Sequence, residues 1–144
     1  PLQSAISKSE QRDQNGQLFF TSDPDYCCYL NKIQPMEAVL KSHDVWINGI
    51  RADQNANRAA MKEEEATPQG AVRYHPMLHW SSKDIYTYRQ EHSLPAHPLE
   101  AKGYFSIGCE PCTRKAMDDQ QDRNARWFGM KKVECGLHTD LINK

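Results

Sequence analysis

The sequence has few apolar residues and no long apolar run. Only 38% of its 144 residues are hydrophobic, and the mean hydropathy is -0.83. No stretch approaches the roughly 18 continuous apolar residues that a membrane helix needs, and the N-terminus lacks the apolar region of a secretory signal. The sequence therefore excludes a membrane-spanning segment and predicts a cytoplasmic chain with a thin core.

The sequence also lacks an excess of charge of either sign. Lys and Arg number 18 against 19 Asp and Glu, which gives a net charge of -1. No basic stripe interleaved with aromatic residues is present, so neither nucleic acid nor an anionic membrane surface is expected as a partner. Any site for an anion must therefore be local.

Three helices and a long loop are predicted from turn and cap residues. Asp23 before Pro24 is typical of a helix N-cap followed by a first-turn proline, and Pro35 opens a second helix. Ser81 or Ser82 caps a further helix that ends before Leu94. The segment 51–70 has almost no large apolar groups, so it is predicted to be a long loop.

Two short strands are predicted between these helices. The apolar and partly β-branched residues Val45, Trp46, Ile47 and Ile50 indicate a buried strand. A second strand is predicted within 72–78. Alternating helices and strands place the chain in the α/β class.

The five cysteines are an odd number, and in a reducing compartment a disulfide framework is not expected. Their spacing divides them into an adjacent pair, Cys27 and Cys28, a C-x-x-C pair, Cys109 and Cys112, and the single Cys135. Metal binding or catalysis is therefore the leading interpretation of these thiols.

The C-x-x-C spacing directs two thiolates to one metal centre. Neighbouring side chains on a helix diverge by about 100°, so the adjacent pair suits the separated corners of a 4Fe-4S cluster better than one zinc ion. Structural zinc stays an alternative. So does an accidental C-x-x-C beside unrelated buried cysteines.

Cys135 lies close to the C-terminal end of the sequence, in the string Glu-Cys-Gly-Leu-His. A thiol in such a position is expected on a mobile and accessible segment. Lys131, Lys132 and His138 would lower its pKa, whereas Glu134 would act in the opposite direction. From composition alone, a nucleophile and an incidental surface cysteine are equally compatible with this string.

Taken in order, these motifs resemble the iron-sulfur sulfonucleotide reductases of sulfate assimilation, which act on adenylyl sulfate (APS) or phosphoadenylyl sulfate (PAPS). The resemblance runs from about Asp25 to His138. The residues that carry it are Cys27, Cys28, the segment Gly103–Arg114, the segment Glu134–His138, and the two basic segments with Ile50, Arg51, Asp53, Gln54, Arg58 and with Arg123, Arg126, Trp127.

The resemblance implies a Rossmann-like adenine-nucleotide fold of the α/β class, with short strands, several helices and a metal-cluster region. The phosphate-binding loop of that fold lies near the N-terminus, and Pro1–Tyr26 contains no Gly-rich loop. We therefore expect one partial domain over 1–144, the C-terminal part of a reductase. It would comprise a loose lead-in at 1–22, the reductase region at 23–138 and a tail at 139–144.

The resemblance also implies roles for individual residues. Cys135 would attack the sulfur of the substrate, with His138 orienting it or assisting protonation, and Lys32 would lie near the metal cluster and the reacting group as a charge partner. The ligands of a 4Fe-4S cluster, or alternatively of zinc, would be Cys27, Cys28, Cys109 and Cys112. The arginines that bind phosphate and sulfate oxygens would be Arg51, Arg58, Arg123 and Arg126.

The implied reaction is the reductive cleavage of APS to sulfite and AMP, as part of cysteine biosynthesis. It would proceed through an S-sulfocysteine on the enzyme that thioredoxin or glutaredoxin then reduces, and the enzyme is expected to be a homo-oligomer. A PAPS reductase and a non-catalytic iron-sulfur or zinc module are the alternatives.

Overall fold

The computed structural model describes residues 2–116, 125–130 and 132–139. Short helices and one small mixed sheet make up its regular structure, so the predicted α/β class is confirmed. Within the described residues, no helix is both long enough and apolar enough to cross a membrane.

A nearly continuous helical segment follows a short first helix, α1 (Phe19–Ser22), which lies inside the predicted lead-in. The predicted cap at Asp23 is confirmed, because its Oδ1 accepts a hydrogen bond from the Tyr26 N–H at 2.9 Å and begins α2 (Pro24–Cys28).

A single π-helical turn, Tyr29–Ile33, joins α2 to α3 (Gln34–Leu40). The expectation that Pro35 opens a second helix is confirmed in α3, which has Pro35 in its first turn, and the chain stays helical between α2 and α3. A proline has no N–H and its ring crowds the preceding turn, and the wider π turn accommodates both.

The sheet has three strands in the order β1-β3-β2: β1 (Val45–Ile47), β2 (Glu64–Ala66) and β3 (Val72–Tyr74). Strand β1 runs parallel to β3, and β2 runs antiparallel to it. The register places Arg73 of β3 opposite Trp46 on one side and Glu65 on the other.

The predicted strand at 45–50 exists but is shorter and less buried than expected. Val45 is 52% exposed and Ile47 is 64% exposed, whereas the buried Ile50 lies outside the strand. The reason is that β1 is an edge strand, and Trp46 is the residue of β1 that packs against the core cluster.

The prediction of a long loop over 51–70 is wrong. The segment contains a 3₁₀ turn (Ala52–Gln54), helix α4 (Ala56–Ala59) and strand β2. Backbone pairing and capping stabilise these elements. Asn55 Oδ1, for example, accepts a hydrogen bond from the Arg58 N–H at 2.9 Å. A forecast based on scarce apolar residues misses structure of this kind.

The predicted helix after Ser81 is confirmed as α5 (Ser82–Glu91). Ser81 Oγ accepts a hydrogen bond from the Asp84 N–H, and Asp84 Oδ2 accepts one from the Ser81 N–H at 2.7 Å. This reciprocal capping box satisfies two backbone donors at the start of the helix.

The chain divides into two compact units. The sheet unit comprises Pro1–Ile47, Glu64–Tyr74 and Lys132–Lys144, and its core cluster joins Ile33, Leu40 and Ala71 with the partly buried Met36, Trp46 and Leu137. The α5 unit comprises Asn48–Glu63 and His75–Lys131, and its buried apolar residues include Ile50, Leu78, Ala125 and Trp127. The single partial domain stays a prediction.

Candidate functional site

Cys135 lies directly before a 3₁₀ turn, Gly136–His138, and is only 7% exposed. The expectation of an accessible thiol is therefore wrong. Leu137 packs against the core cluster of the sheet unit and draws the segment inward. The backbone N–H of Cys135 also donates to the buried Glu134 Oε1 at 2.8 Å, so this end of the described chain is anchored by apolar packing and by a hydrogen bond.

Two side chains of the continuous helical segment from α2 to α3 lie beside the sulfur of Cys135. The Cys28 thiol donates a hydrogen bond to it, and Lys32 Nζ lies 3.3 Å away. The bond from Cys28 and the ammonium charge of Lys32 lower the pKa of Cys135 to about 5, although burial acts to raise it. Cys28 and Lys32 are four positions apart on one helical segment, a spacing that places both on the same face.

Cys28 and a second lysine complete this group, which we call the thiol site (Cys28, Lys32, Lys132 and Cys135). The pKa of Cys28 is raised by the hydrogen bond that Cys28 makes to Cys135 and by burial. Burial lowers the pKa of Lys132, but its hydrogen bond to Asp25 and the nearby thiols outweigh that effect and raise it. The thiol site thus holds one sulfur as a thiolate beside two cations.

His138 lies at the end of the same turn and contacts residues that the sequence did not single out. Arg73 Nη2 lies 2.5 Å from His138 Nδ1, and the Arg73 guanidinium lies 4.9 Å from the centre of the Trp46 ring. The Trp46 and His138 rings stack at 6.3 Å with 14° between their planes. An arginine within an apolar strand, in Ala-Val-Arg-Tyr, was the available signal for this contact.

Cys109 and Cys112 bracket a 3₁₀ turn, Glu110–Cys112, which we call the cysteine turn. The Cys112 N–H donates to the Cys109 carbonyl oxygen at 3.0 Å, and Thr113 Oγ1 donates to the same oxygen at 2.9 Å. Arg126 Nε donates to the Cys112 carbonyl oxygen at 2.9 Å. Both sulfurs therefore lie on one tight, half-buried turn.

The four cysteines that were predicted as metal ligands lie in two pairs along the chain, and none of them forms a disulfide. Cys27 and Cys28 belong to the sheet unit, and Cys109 and Cys112 belong to the α5 unit. Among the described residues, no group of three or more His, Cys, Asp or Glu side chains is gathered as a metal site. Four thiols in two pairs match the donor set of a thiolate-bound cluster, and their role as ligands stays a prediction.

The predicted anion-binding arginines are engaged with neighbours of their own. Arg58 is only 7% exposed, and its guanidinium donates to Gln54. Arg126 is half-buried, and its guanidinium lies over the Trp127 ring at 4.5 Å as well as binding the cysteine turn. The predicted substrate-binding residue Arg123 lies outside the described residues, as does Lys131, which was expected to lower the pKa of Cys135.

Arg51 lines a cavity of about 350 Å³ in the α5 unit. Its Nε lies 3.0 Å from Asp53 Oδ1, and its Nη2 donates to Ser82 Oγ at 2.9 Å. A second arginine, Arg89, and His97 also line the cavity, together with the aromatic residues Tyr86, Tyr104 and Phe105. Cavities of this size with a few polar groups are typical of small-molecule sites.

Comparison with known proteins assigns the chain to a family. The model of the phosphoadenosine phosphosulfate reductase domain matches residues 2–115. Adenosine 5′-phosphosulfate reductase 1 from Bacillus subtilis is 39% identical over 137 residues, which cover 92% of this chain and 58% of the relative. The adenosine 5′-phosphosulfate reductase from Streptomyces coelicolor is 38% identical over 133 residues, which cover 90% and 56%. The chain spans a little over half the length of these relatives.

A solved structure agrees on the fold. The phosphoadenylyl-sulfate (PAPS) reductase from Candida auris, in a phosphate complex, superimposes with a TM-score of 0.55 over 72% of this chain and 50% of its own, at 24% identity. The family inferred from the order of the sequence motifs is thus confirmed. The chain belongs to the phosphoadenosine phosphosulfate reductase domain family.

Proposed function

We propose that this chain carries the thiol chemistry of an APS reductase, which cleaves adenylyl sulfate to sulfite and AMP in sulfate assimilation. The observation that carries the proposal is the contact of 3.3 Å between Lys32 Nζ and Cys135 Sγ. A fixed ammonium group beside a thiol favours the thiolate, which is the nucleophilic form. The names of the relatives in Bacillus and Streptomyces support APS as the substrate.

The first step is a sulfonyl transfer to Cys135. The thiolate attacks the sulfur of APS, a new S–S bond forms, and the S–O bond to the phosphate breaks. AMP leaves with the electron pair of that bond, and Cys135 keeps an S-sulfo group. Lys32 stabilises the thiolate before attack and the negative oxygens near it afterwards, which is the usual electrostatic contribution to catalysis.

The second step returns the thiol and needs a dithiol protein, thioredoxin or glutaredoxin. One thiolate of that protein attacks Cys135 Sγ, and sulfite leaves with the electrons of the S–S bond. The partner's second thiol then resolves the mixed disulfide and releases Cys135 as a thiolate. The partner is oxidised to its disulfide, so two electrons pass to the sulfonyl group.

Anion binding is assigned to arginines and to His138. Arg51 lines the cavity of the α5 unit, and its guanidinium fork suits phosphate or sulfate oxygens. Arg58, Arg123 and Arg126 are proposed for the same task, and Arg58 and Arg126 would have to exchange their present hydrogen bonds for bonds to the substrate. His138, three residues after the nucleophile, would contact the transferred group.

Cys27, Cys28, Cys109 and Cys112 would hold the cofactor, a 4Fe-4S cluster, and zinc is the alternative. The absence of disulfides among them and their division into two pairs along the chain support a thiolate-bound group. When bound, a cluster supplies Fe–S bonds that tie distant cysteines together and a local charge of its own. The lysines of the thiol site are suited to balance such a charge.

We propose the cytoplasm as the compartment and a homo-oligomer as the assembled state.

The experiment that tests this function measures sulfite and AMP release from APS. It is run on this chain and on the complete product of its gene, with thioredoxin as reductant and PAPS as the competing substrate. We expect release from APS in the gene product, and none when Cys135→Ser replaces the nucleophile. A Cys135→Ser variant that still releases sulfite would contradict the proposal, and faster turnover of PAPS would reassign the substrate.

A further inference from the structure

Arg73 is a cation with no exposed surface in the middle of the sheet. It lies on β3 between Trp46 and Glu65, and its relative exposure is 0%. Burying an arginine costs several kcal/mol unless its charge and its donors find partners. Glu65 Oε2 lies 3.9 Å from Arg73 Nη1, and the Trp46 ring lies under the guanidinium. Both contacts hold the guanidinium in one place.

From that place Arg73 meets one particular atom of His138. Its Nη2 lies 2.5 Å from Nδ1 of the imidazole. A guanidinium can only donate hydrogen bonds, so Nδ1 must accept with its lone pair. A neutral imidazole carries one N–H, and that proton is then on Nε2. An imidazolium would bring two cations into contact, which the Coulomb repulsion of this partly buried pair opposes.

The Trp46 ring fixes the plane in which the N–H of Nε2 lies. Trp46 and His138 are nearly parallel, with 14° between their planes, so the imidazole cannot tilt without losing this stacking. The same Trp46 ring lies against the Arg73 guanidinium, so one aromatic residue contacts both partners of the hydrogen bond. Arg73 sets the tautomer of His138, and Trp46 sets the plane of its ring.

We propose that Arg73 is a positioning residue that holds His138 in its neutral form with the proton on Nε2, so that His138 acts as a hydrogen-bond donor to an anionic oxygen. The identity of that oxygen, on the sulfuryl group of the substrate, rests on the proposed function. His138 therefore does not act as a base through Nε2. It stabilises negative charge beside Cys135, three residues away on the same turn.

The test observes the ring nitrogens of His138 directly by nitrogen-15 NMR of the whole chain, with its signals assigned by their loss in His138→Gln. We expect a protonated Nε2 and an unprotonated Nδ1 in the wild-type chain without substrate. A proton on Nδ1, or protons on both nitrogens, would overturn the inference. Because no substrate is present, this result is independent of whether sulfite is released.

Two variants of Arg73 and one control separate positioning from general stability. Arg73→Met removes the donor and keeps an apolar stem, so the single tautomer should give way to a mixture. Arg73→Lys keeps a cationic donor and should restore the wild-type pattern, which also covers the case in which Arg73→Met fails to fold. The control is Arg12→Met, at an exposed arginine of the same unit, and it should leave His138 unchanged. An Arg73→Met chain that folds with the wild-type tautomer would refute the role of Arg73.

In the complete gene product the same variants should change the rate at which S-sulfocysteine forms. Loss of one oriented hydrogen bond lowers the rate by about tenfold in Arg73→Met, with recovery in Arg73→Lys. A wild-type tautomer on Nε2 without any sulfite release would contradict the proposed function alone. Sulfite release with a proton on Nδ1 would contradict the role of Arg73 alone.

Discussion

The two places where cysteines gather in this chain are held in different ways. In the thiol site, Cys135 is buried and meets Lys32, which lies 103 positions earlier in the sequence. In the cysteine turn, Cys109 and Cys112 are half-buried, and the bonds made by Gly108, Cys112 and Thr113 join residues at most five positions apart. The Cys112 carbonyl oxygen also accepts hydrogen bonds from Arg126 Nε at 2.9 Å and from the Trp127 N–H at 3.3 Å. One arrangement controls the charge of a sulfur, whereas the other presents two sulfurs side by side.

Cys28 belongs both to the thiol site and to the proposed set of metal ligands. It donates a hydrogen bond to Cys135 as a thiol, yet it is also one of the four proposed ligands. A metal-bound Cys28 has no proton to donate. Two contacts stabilise the Cys135 thiolate without Cys28, the ammonium of Lys32 and a backbone hydrogen bond from Leu137. Because Lys32 brings a full charge, we attribute the nucleophile to the lysine contact.

The largest expected effect concerns metal binding by the cysteine turn. In Cys109→Ser and in Cys112→Ser, bound iron should fall to near zero, and Tm should fall with it because the binding energy of a metal is also folding energy. Iron and zinc are measured by elemental analysis and Tm by calorimetry. Cys135→Ser is the matched control and should keep its metal. If either variant keeps its full metal content and an unchanged Tm, the substituted cysteine is not a metal ligand.

The next effect concerns the charge beside the nucleophile. Lys32→Met should slow the formation of S-sulfocysteine by about tenfold, because a buried thiolate loses its nearest cation. The rate is measured by rapid quench and mass spectrometry in the complete gene product, and Lys32→Arg should recover part of it. Lys41→Met, at an exposed lysine that ends α3, serves as control. Equal rates in the Lys32→Met and Lys41→Met variants would remove Lys32 from the site.

The smallest effect concerns the arginine that contacts the cysteine turn. Arg126→Met loses the hydrogen bond to the Cys112 carbonyl and the contact with the Trp127 ring. We expect the free energy of unfolding to fall by about 1 kcal/mol, as measured by denaturant titration. Arg114→Met, at an exposed arginine that lies over the Phe128 ring, should cost less. A larger loss of unfolding free energy in Arg114→Met than in Arg126→Met would mean that Arg126 does not stabilise the turn.

The features that the sequence predicted correctly rest on local chemistry. The predicted caps at Asp23 and at Ser81 involve residues within three positions of each other, so their signals are visible in a short window. The order of such motifs was also sufficient to identify the family.

The features that the sequence missed depend on contacts between distant segments. Burial of Cys135 follows from the packing of Leu137 against the core cluster of the sheet unit, and no property of the string around Cys135 indicates it. Strand β2 forms because β3 offers it hydrogen bonds, although its own residues are polar. The contact between Arg73 and His138 forms only when the turn that carries His138 lies against the sheet, so the sequence around Arg73 does not predict it.

The central claim is that Cys135 is the nucleophile of the thiol site. Its most direct test mixes the complete gene product with APS in the absence of any reductant and locates the modified residue by peptide mass spectrometry. We predict one S-sulfo group, on Cys135, that thioredoxin removes with release of sulfite and that is absent from the Cys135→Ser variant. An S-sulfo group on another cysteine, or sulfite and AMP formed by the Cys135→Ser variant, would contradict the account.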